Sequence, residues 1–313
     1  MKVPWHTSGM TIRSIVLASL LAGLASCTVP QVTPRDGTEG AIATRPLKVA
    51  SWNLEFLAER NGTGCEPRTD ADYAAMRQIV DTLDADVIAF QEAENEAAAA
   101  RVFDPRRYTI VIEKRPGAAS GSCGGKHPEQ QFIRQAVGFA IRKGIAFDRN
   151  PDITALQLGN PLLRSGVDVR VRAPGHQPTR LLAVHLKSGC FQGDRAQACG
   201  ILQRQVPVLE DWVDHAAVGP DRFIVLGDWN RRLAEARDAV WTELDDGNPA
   251  NADLRLADEG VTPRCDPRYR SFIDHIVFDR RAAGQASGFT ETTYAPGQKH
   301  LSDHCSVSAL IAG

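Results

Sequence analysis

Aromatic residues are scarce in this 313-residue chain: five Trp, four Tyr and eleven Phe make up 6% of it. Neither sign of charge dominates, with 36 Lys and Arg against 38 Asp and Glu and a formal charge of −2. A nucleic-acid coat or membrane-surface binder would carry a basic excess, and there is none. The Cys-x-x-Cys spacing of a zinc-thiolate site is missing. Apolar runs long enough for repeated membrane crossing are missing too, which excludes a polytopic membrane protein. What is there is 43% hydrophobic and 24% charged, the balance of a folded domain rather than a disordered chain.

The longest apolar run, Ser14–Ala25 (SIVLASLLAGLA), follows Lys2 and Arg13. It is too short to span a bilayer comfortably and suits the core of a signal peptide. Leu24-Ala25-Ser26-Cys27 comes next and resembles the bacterial lipobox, in which the cysteine is lipidated and becomes the new N-terminus. Export is therefore expected, with residues 1–26 as signal peptide and a lipid on Cys27 as the membrane anchor in the cell envelope. Without that lipid the product would be secreted. Loss of Lys2 and Arg13 leaves 34 basic against 38 acidic residues, a mature charge of −4. Residues 27–45 are rich in Pro, Thr and Gly and read as a tether. Residues 46–313 carry no repeat or second linker and read as one domain, expected to be a monomer. Six further cysteines, at 65, 123, 190, 199, 265 and 305, are an even set that suggests disulfides in an oxidising compartment.

Leu47–Trp52 alternates like a strand, and Thr69 and Asp70 can cap a helix over Ala71–Leu83. Asp86–Phe90, Tyr108–Ile112 and Ala136–Ile141 read as strands. Val167–Val171 and Leu181–Leu186 read as a hairpin around Ala173-Pro174-Gly175-His176. A helix is expected over Ala196–Ala216, kinked or broken at Pro207, and another over Ala239–Leu244. Phe223–Leu226, Ser271–Phe278, Phe289–Tyr294 and Cys305–Ile311 complete the strands. Many strands with two substantial helices imply a mixed-sheet protein with helices packed outside.

Chemistry-bearing residues recur where these strands end. Asn53, Gln91-Glu92, His185 and Gly227-Asp228-Trp229-Asn230 follow apolar strands, while Asp274-His275 and Ser302-Asp303-His304 mark the start of others. Singly, each could be a turn, a solvated carboxylate, a core histidine or a cap. Together they describe one edge of a scaffold, where sites are built. Asn53, Glu92 and Asp303 offer hard oxygen ligands, suited to Mg²⁺ or Mn²⁺.

SWNLEFL at 51–57, QEAE at 91–94, HLKSG at 185–189, LGDWN at 226–230, IDHIVF at 273–278 and LSDH at 301–304 occur in an order that resembles the endonuclease/exonuclease/phosphatase superfamily. The resemblance spans about 46–313 and implies an α/β fold, a DNase I-like four-layer α/β/β/α sandwich of two packed mixed sheets. It implies a metal held mainly by Glu92, with Asn53 and Asp303 assisting, and Asp228 as base for the attacking water. Asn230 would donate to phosphate, and His185 and His304 would hold phosphoryl oxygens, with His304 paired to Asp274. Lys187, Gln135 and Arg231 are weaker candidates for contact with substrate phosphate. DNase I-like members place a Glu beside the first histidine; Gln135 is read as that position here, able to orient His185 but not to raise its pKa. His275 and His300 match no family position and are read as packing or surface residues.

The leading expectation is a metal-dependent phosphodiesterase, with nucleic acid as the substrate. A sphingomyelinase-type enzyme or a phosphomonoesterase is the alternative, and a non-catalytic surface-binding relative is the third reading. Loops 57–70, 114–131 and 189–199 contain only Phe191 as an aromatic, which disfavours membrane insertion. Arg164, Arg170, Arg172 and Arg180 could line a face that contacts a nucleic-acid backbone. Cys190–Cys199 closes a short loop. Cys65–Cys123 and Cys265–Cys305 follow if their flanking strands end or begin at one rim.

Overall fold

The computed structural model describes residues 45–117, 121–125, 127–190, 197–295 and 297–313. The expected signal peptide, Cys27 and nearly all of the tether lie outside these residues. Strand β1 (Leu47–Leu57) leads through α1 (Asp70–Leu83) into β2 (Val87–Ala93), which pairs parallel to it. Helix α1 begins with a closed capping box: Thr69 accepts from the Asp72 amide at 3.3 Å, and the Asp72 carboxylate accepts from the Thr69 amide at 2.8 Å. Tyr73, Met76, Val80 and Leu83 are its buried stripe.

The chain continues through α2 (Glu96–Val102), β3 (Tyr108–Ile112), β4 (Ala136–Arg142), β5 (Ala146–Arg149), β6 (Val167–Arg172) and β7 (Thr179–His185). After α3 (Gln197–Ala217) come β8 (Arg222–Asp228), α4 (Ala239–Leu244), β9 (Arg255–Leu256) and β10 (Asp274–Phe278). Then α5 (Arg280–Ala283), β11 (Ala286–Thr292) and β12 (Ser306–Ile311) complete the fold. One six-stranded sheet has the order β11-β12-β1-β2-β4-β3 and the other β5-β6-β7-β8-β10-β9.

Their inner faces share one core, in which Val49, Val87 and Phe139 meet Leu181, Ile224 and Ile276. On one outside, α1 and α2 cover Trp52, Ile88 and Phe90; on the other, α3 and α4 cover Leu182, Val184 and Val225. Helix, sheet, sheet and helix are the four expected layers. No helix among the described residues is long and apolar enough to cross a membrane.

Two local expectations need correction. Pro207 lies inside α3 without ending it. A proline costs a helix interior about 3 kcal/mol, whereas each buried apolar side chain returns about 1.5–3 kcal/mol. Leu202, Val206, Leu209, Trp212 and Val213 are all buried on that helix, so packing wins. Gly227 lies inside β8, which runs on through Asp228. Its missing side chain answers a close approach, since a Cβ there would lie 2.0 Å from the Val184 carbonyl oxygen on β7. The arginines of the β6–β7 region are not an open face. Arg170 pairs with Asp221, Arg172 with Asp148 and Arg180 with Asp168, while Arg164 is buried.

All three expected disulfides form, Cys65–Cys123, Cys190–Cys199 and Cys265–Cys305, with Cα separations of 5.2, 4.8 and 5.9 Å. His275 is fully buried, as a packing role requires. Its Nδ1 lies 3.0 Å from Asp258 and its Nε2 2.9 Å from the Arg231 carbonyl, two acceptors that favour a doubly protonated ring. Burial opposes that charge, but the Asp258 carboxylate and both hydrogen bonds outweigh it and raise the pKa. A raised folded-state pKa gives stability that is complete below the unfolded value of about 6.5 and fades as pH rises through the folded one. Asp258→Asn should therefore cost about 3–5 kcal/mol in mildly acidic buffer and clearly less in alkaline buffer. Urea unfolding at both pH values measures this, and equal costs would show a neutral His275.

Candidate active site

Parallel pairing puts the C-terminal ends of β1 and β2 at one rim, and those of β7 and β8 likewise. Antiparallel neighbours must then start where those strands stop, which places Asp274 at the head of β10 and His304 just before β12. In register, His185 lies opposite Asp228, and Asp228 opposite Asp274. The two sheets pack so that these ends border a single cleft of about 510 Å³. The rim backbone is irregular. Register shifts interrupt β1 between Asn53 and Leu57, and β2 against β4 between Phe90 and Ala93. Glu55, Phe56, Glu92 and Asn230 hold positive φ of 45°, 50°, 63° and 50°. Bulges and left-handed residues of this kind re-aim side chains, here turning Glu92 toward the cleft.

Asp228 is the hub. Its Oδ2 lies 3.0 Å from Asn53 Nδ2, 3.3 Å from His185 Nε2 and 3.9 Å from His304 Nε2, and its Oδ1 accepts from the Asn230 amide at 2.8 Å. Asn53 also donates to Glu92 at 3.4 Å, while its own oxygen accepts from the Glu55 amide at 3.0 Å. It thus presents its nitrogen to both carboxylates and holds them apart. The Phe56 amide donates to the other Glu92 oxygen at 3.0 Å. His304 Nδ1 donates to Asp274 at 2.6 Å, the pairing expected from the resemblance. Trp229 is fully buried, so Asp228 and Asn230 can face the cleft together.

The two histidines are driven toward different protonation states. Burial, then the positive charge of Arg164, pushes His185 well below its usual range. Its Nδ1 is buried without a partner, which fits a neutral ring whose Nε2–H donates to Asp228. Burial also opposes a charge on His304, but Asp274, its hydrogen bond, Asp228 and Asp303 raise that pKa well above the ordinary value. Asp228 is pushed up to about 7, by burial first and by Asp274 second. Glu55 rises to about 7 through burial, then through Asp303 and Glu66. Asp303 is raised as well, with the nearby charges of Glu92 and Asp274 among the causes.

A hard divalent cation fits these residues. Asp303 feels the negative charge of Glu92, and Glu55 that of Asp303, and a cation held by these oxygen donors would relieve that like-charge strain. Among the described residues, Asp228, Asp274 and His304 also bring carboxylate and imidazole atoms within 4.8 Å of one another. That triple already holds a 2.6 Å imidazole–carboxylate hydrogen bond, so it serves proton chemistry better than metal ligation.

Asn53, Glu92, His185, Asp228, Asn230, Asp274, Asp303 and His304 all reach the rim. Three weaker candidates have other partners in this structure. Arg231 is committed to Asp238 and to the Cys190 carbonyl, because it anchors that disulfide loop. Lys187 Nζ donates to the neighbouring Ser188 carbonyl. Gln135 gives its carbonyl to Arg115, and no hydrogen bond joins its side chain to His185. The group behind His185 is the guanidinium of Arg164, which donates to the Leu186 carbonyl at 3.1 Å. No local pattern in the loop before β6 marks Arg164. Glu55 was readable as a second carboxylate two residues beyond Asn53. His300 stacks on Tyr294 at 4.5 Å beside the cleft.

In metal-free protein at neutral pH, ¹H–¹⁵N long-range spectra should show His304 doubly protonated and His185 as the neutral Nε2–H tautomer. A cationic His185 would contradict the role given to Arg164.

The profile of the Endonuclease/Exonuclease/phosphatase family matches residues 50–304. No curated protein matches the chain at a significant level. Among solved structures the chain is similar to truncated TDP2 from Caenorhabditis elegans, with a TM-score of 0.59 at 17% identity over 86% of this chain and 98% of that one. The human Nocturnin catalytic domain with bound sulfate gives 0.57 at 15% identity, over 87% and 96%. The 3′ phosphatase NExo from Neisseria, bound to a product DNA hairpin, gives 0.53 at 13% identity, over 85% and 100%. Such identities establish a shared fold. With the family profile spanning most of the sequence and its two-sheet sandwich in place, this chain belongs to the endonuclease/exonuclease/phosphatase family.

Proposed function

We propose that the chain is an exported, divalent-metal-dependent phosphodiesterase, acting as a nuclease and anchored to the bacterial cell envelope through a lipid on Cys27. The observation that carries the catalytic part is the hub at Asp228, a buried carboxylate within 3.3 Å of both Asn53 and His185 at the mouth of one cleft. Three disulfides support export. The DNA hairpin bound to the Neisseria relative supports a nucleic-acid substrate.

Asp228, raised to about 7, is a stronger base than an ordinary carboxylate and takes the proton of the attacking water. His304, kept cationic by Asp274, directs Nε2–H at the phosphoryl oxygens and stabilises the charge that gathers there. His185, neutral, donates from Nε2 without giving up a proton. Asn230 donates one amide hydrogen to the Leu186 carbonyl at 3.2 Å and keeps the other for phosphate. Glu92, with Asp303 and Glu55 beside it, would hold Mg²⁺ or Mn²⁺. Bound there, the cation supplies Lewis-acid polarisation of a phosphoryl oxygen.

A hydrolysis panel tests the reading: plasmid DNA, single-stranded DNA, RNA, sphingomyelin, inositol phosphates and a bis-aryl phosphodiester, each with Mg²⁺, Mn²⁺, Ca²⁺ or EDTA. Nucleic-acid cleavage that EDTA abolishes is expected. Cleavage confined to sphingomyelin would move the assignment to lipid, and inertness toward every ester would leave a binding module. Asp228→Asn keeps shape and hydrogen bonding but removes the base, so kcat should fall about 10²–10⁴-fold with KM nearly unchanged. Normal kcat would end that assignment. Glu92→Gln should stay folded yet need far more Mg²⁺ for a reduced turnover, measured as a metal titration of rate. An unchanged titration would misplace the metal.

A further inference from the structure

Arg68 is 2% exposed and stands between Pro67 and the capping residue Thr69, apart from every motif of the cleft. Its guanidinium spends all five N–H donors on main-chain carbonyls. Nε donates to Leu301 at 3.2 Å; Nη1 donates to Phe56 at 3.4 Å and Glu66 at 3.3 Å; Nη2 donates to Leu54 at 3.0 Å and Leu301 at 2.7 Å. Glu55, its carboxylate neighbour, is 4.0 Å away and takes none of these donors. A buried arginine is more often paired with an acid. This one is a clamp on backbone.

The clamped backbone lies where strand pairing lapses. Leu54 and Phe56 lie where the register of β1 slips, and Glu55 and Phe56 sit in the left-handed region. Leu301 lies in the loop that delivers Asp303 and His304. Further bonds close the same junction. Ser302 Oγ donates to the Asn53 carbonyl at 2.7 Å, the Asp303 amide to Glu55 at 2.8 Å, and Trp52 Nε1 to the His304 carbonyl at 3.1 Å. Two stretches about 250 residues apart in sequence, one carrying Asn53 and the other His304, thus meet across one guanidinium.

We infer that Arg68 is a positioning residue for catalysis, fixing the Asn53–Glu55 turn against the Leu301–His304 loop so that the cation side and the histidine side of the cleft stay in register. Its catalytic consequence rests on the phosphoesterase reading above. Lysine cannot replace it, because an ammonium has three donors and no planar fork to span four carbonyls. Cleft geometry loosened by an ångström costs about 10²-fold in rate, whereas substrate affinity, set elsewhere in the cleft, should change little.

Three full-length variants decide it: Arg68→Ala, Arg68→Lys and, as a core control on α1, Met76→Ala. Amide exchange read by mass spectrometry should quicken in Arg68→Ala at 54–57 and 301–304 and stay slow in β8. Met76→Ala should quicken exchange around α1 and leave kcat near wild type. On the best ester of the panel, Arg68→Ala should lose about 10²-fold in kcat with KM nearly constant. Millimolar guanidinium should restore part of that loss by filling the vacated site, an effect no general destabilisation would produce. Arg68→Lys should recover only a small fraction, and if Arg68→Ala does not fold, the exchange and kcat of Arg68→Lys are read by the same criteria. Wild-type kcat in a folded Arg68 variant, or an equal kcat loss in Met76→Ala, would overturn the inference. So would exchange that rises uniformly, or failure of guanidinium to rescue Arg68→Ala. If the wild-type protein hydrolyses nothing, the functional reading fails, and the exchange pattern alone decides whether the clamp exists.

Discussion

The parallel pairing at the heart of each sheet governs the molecule. β1 with β2, and β7 with β8, each bring two C-terminal strand ends together. Face-to-face packing of the sheets then brings the two pairs to one cleft. Every antiparallel neighbour of these strands begins at that rim, so the residue opening β10 and the loop opening β12 arrive there too. Asn53, Glu92, His185, Asp228 and Asp274 are thereby held on strands by ladder register, while the loop before β12 brings Asp303 and His304.

Burial at that rim sets the chemistry. Two histidines with the same intrinsic pKa are separated by their neighbours: Asp274 holds His304 as a cation, while burial and Arg164 keep His185 neutral. Asp228 between them is raised by burial and by Asp274, then partly lowered by His304 and its two hydrogen bonds. Environments that push equivalent groups apart define acid, base and donor roles.

Much of this was legible in the sequence because each functional residue is covalently continuous with the strand that positions it. Asp228 follows FIVLG, Glu92 follows DVIAFQ, and an apolar run betrays where such a residue will emerge. The disulfides were legible for the same reason, as loops leaving a common rim. Pairings made across the fold were not. Arg231 looked free until Asp238 and the Cys190 carbonyl claimed it, and Arg180 until Asp168 did. Arg68 and Arg164 carry no periodic or spacing signal, since what they bind is backbone brought together only by folding. Pro207 misled for a related reason: a local rule was outweighed by a nonlocal apolar face.

The substitution of charge behind His185 follows from the same electrostatic balance. The cleft already gathers Glu55, Glu92, Asp228, Asp274 and Asp303, and burial or mutual repulsion raises three of them. A further carboxylate against His185 Nδ1 would add to that repulsion in the part of the site most removed from water. A buried arginine supplies the opposite charge from behind, with Glu92 and Asp228 as its nearest acids of influence. The front of the cleft is then left to a cation and a phosphate ester. Burial and the charge of Arg164 both favour a neutral His185. His304 is the imidazole of the pair whose surroundings favour its cation, through Asp274.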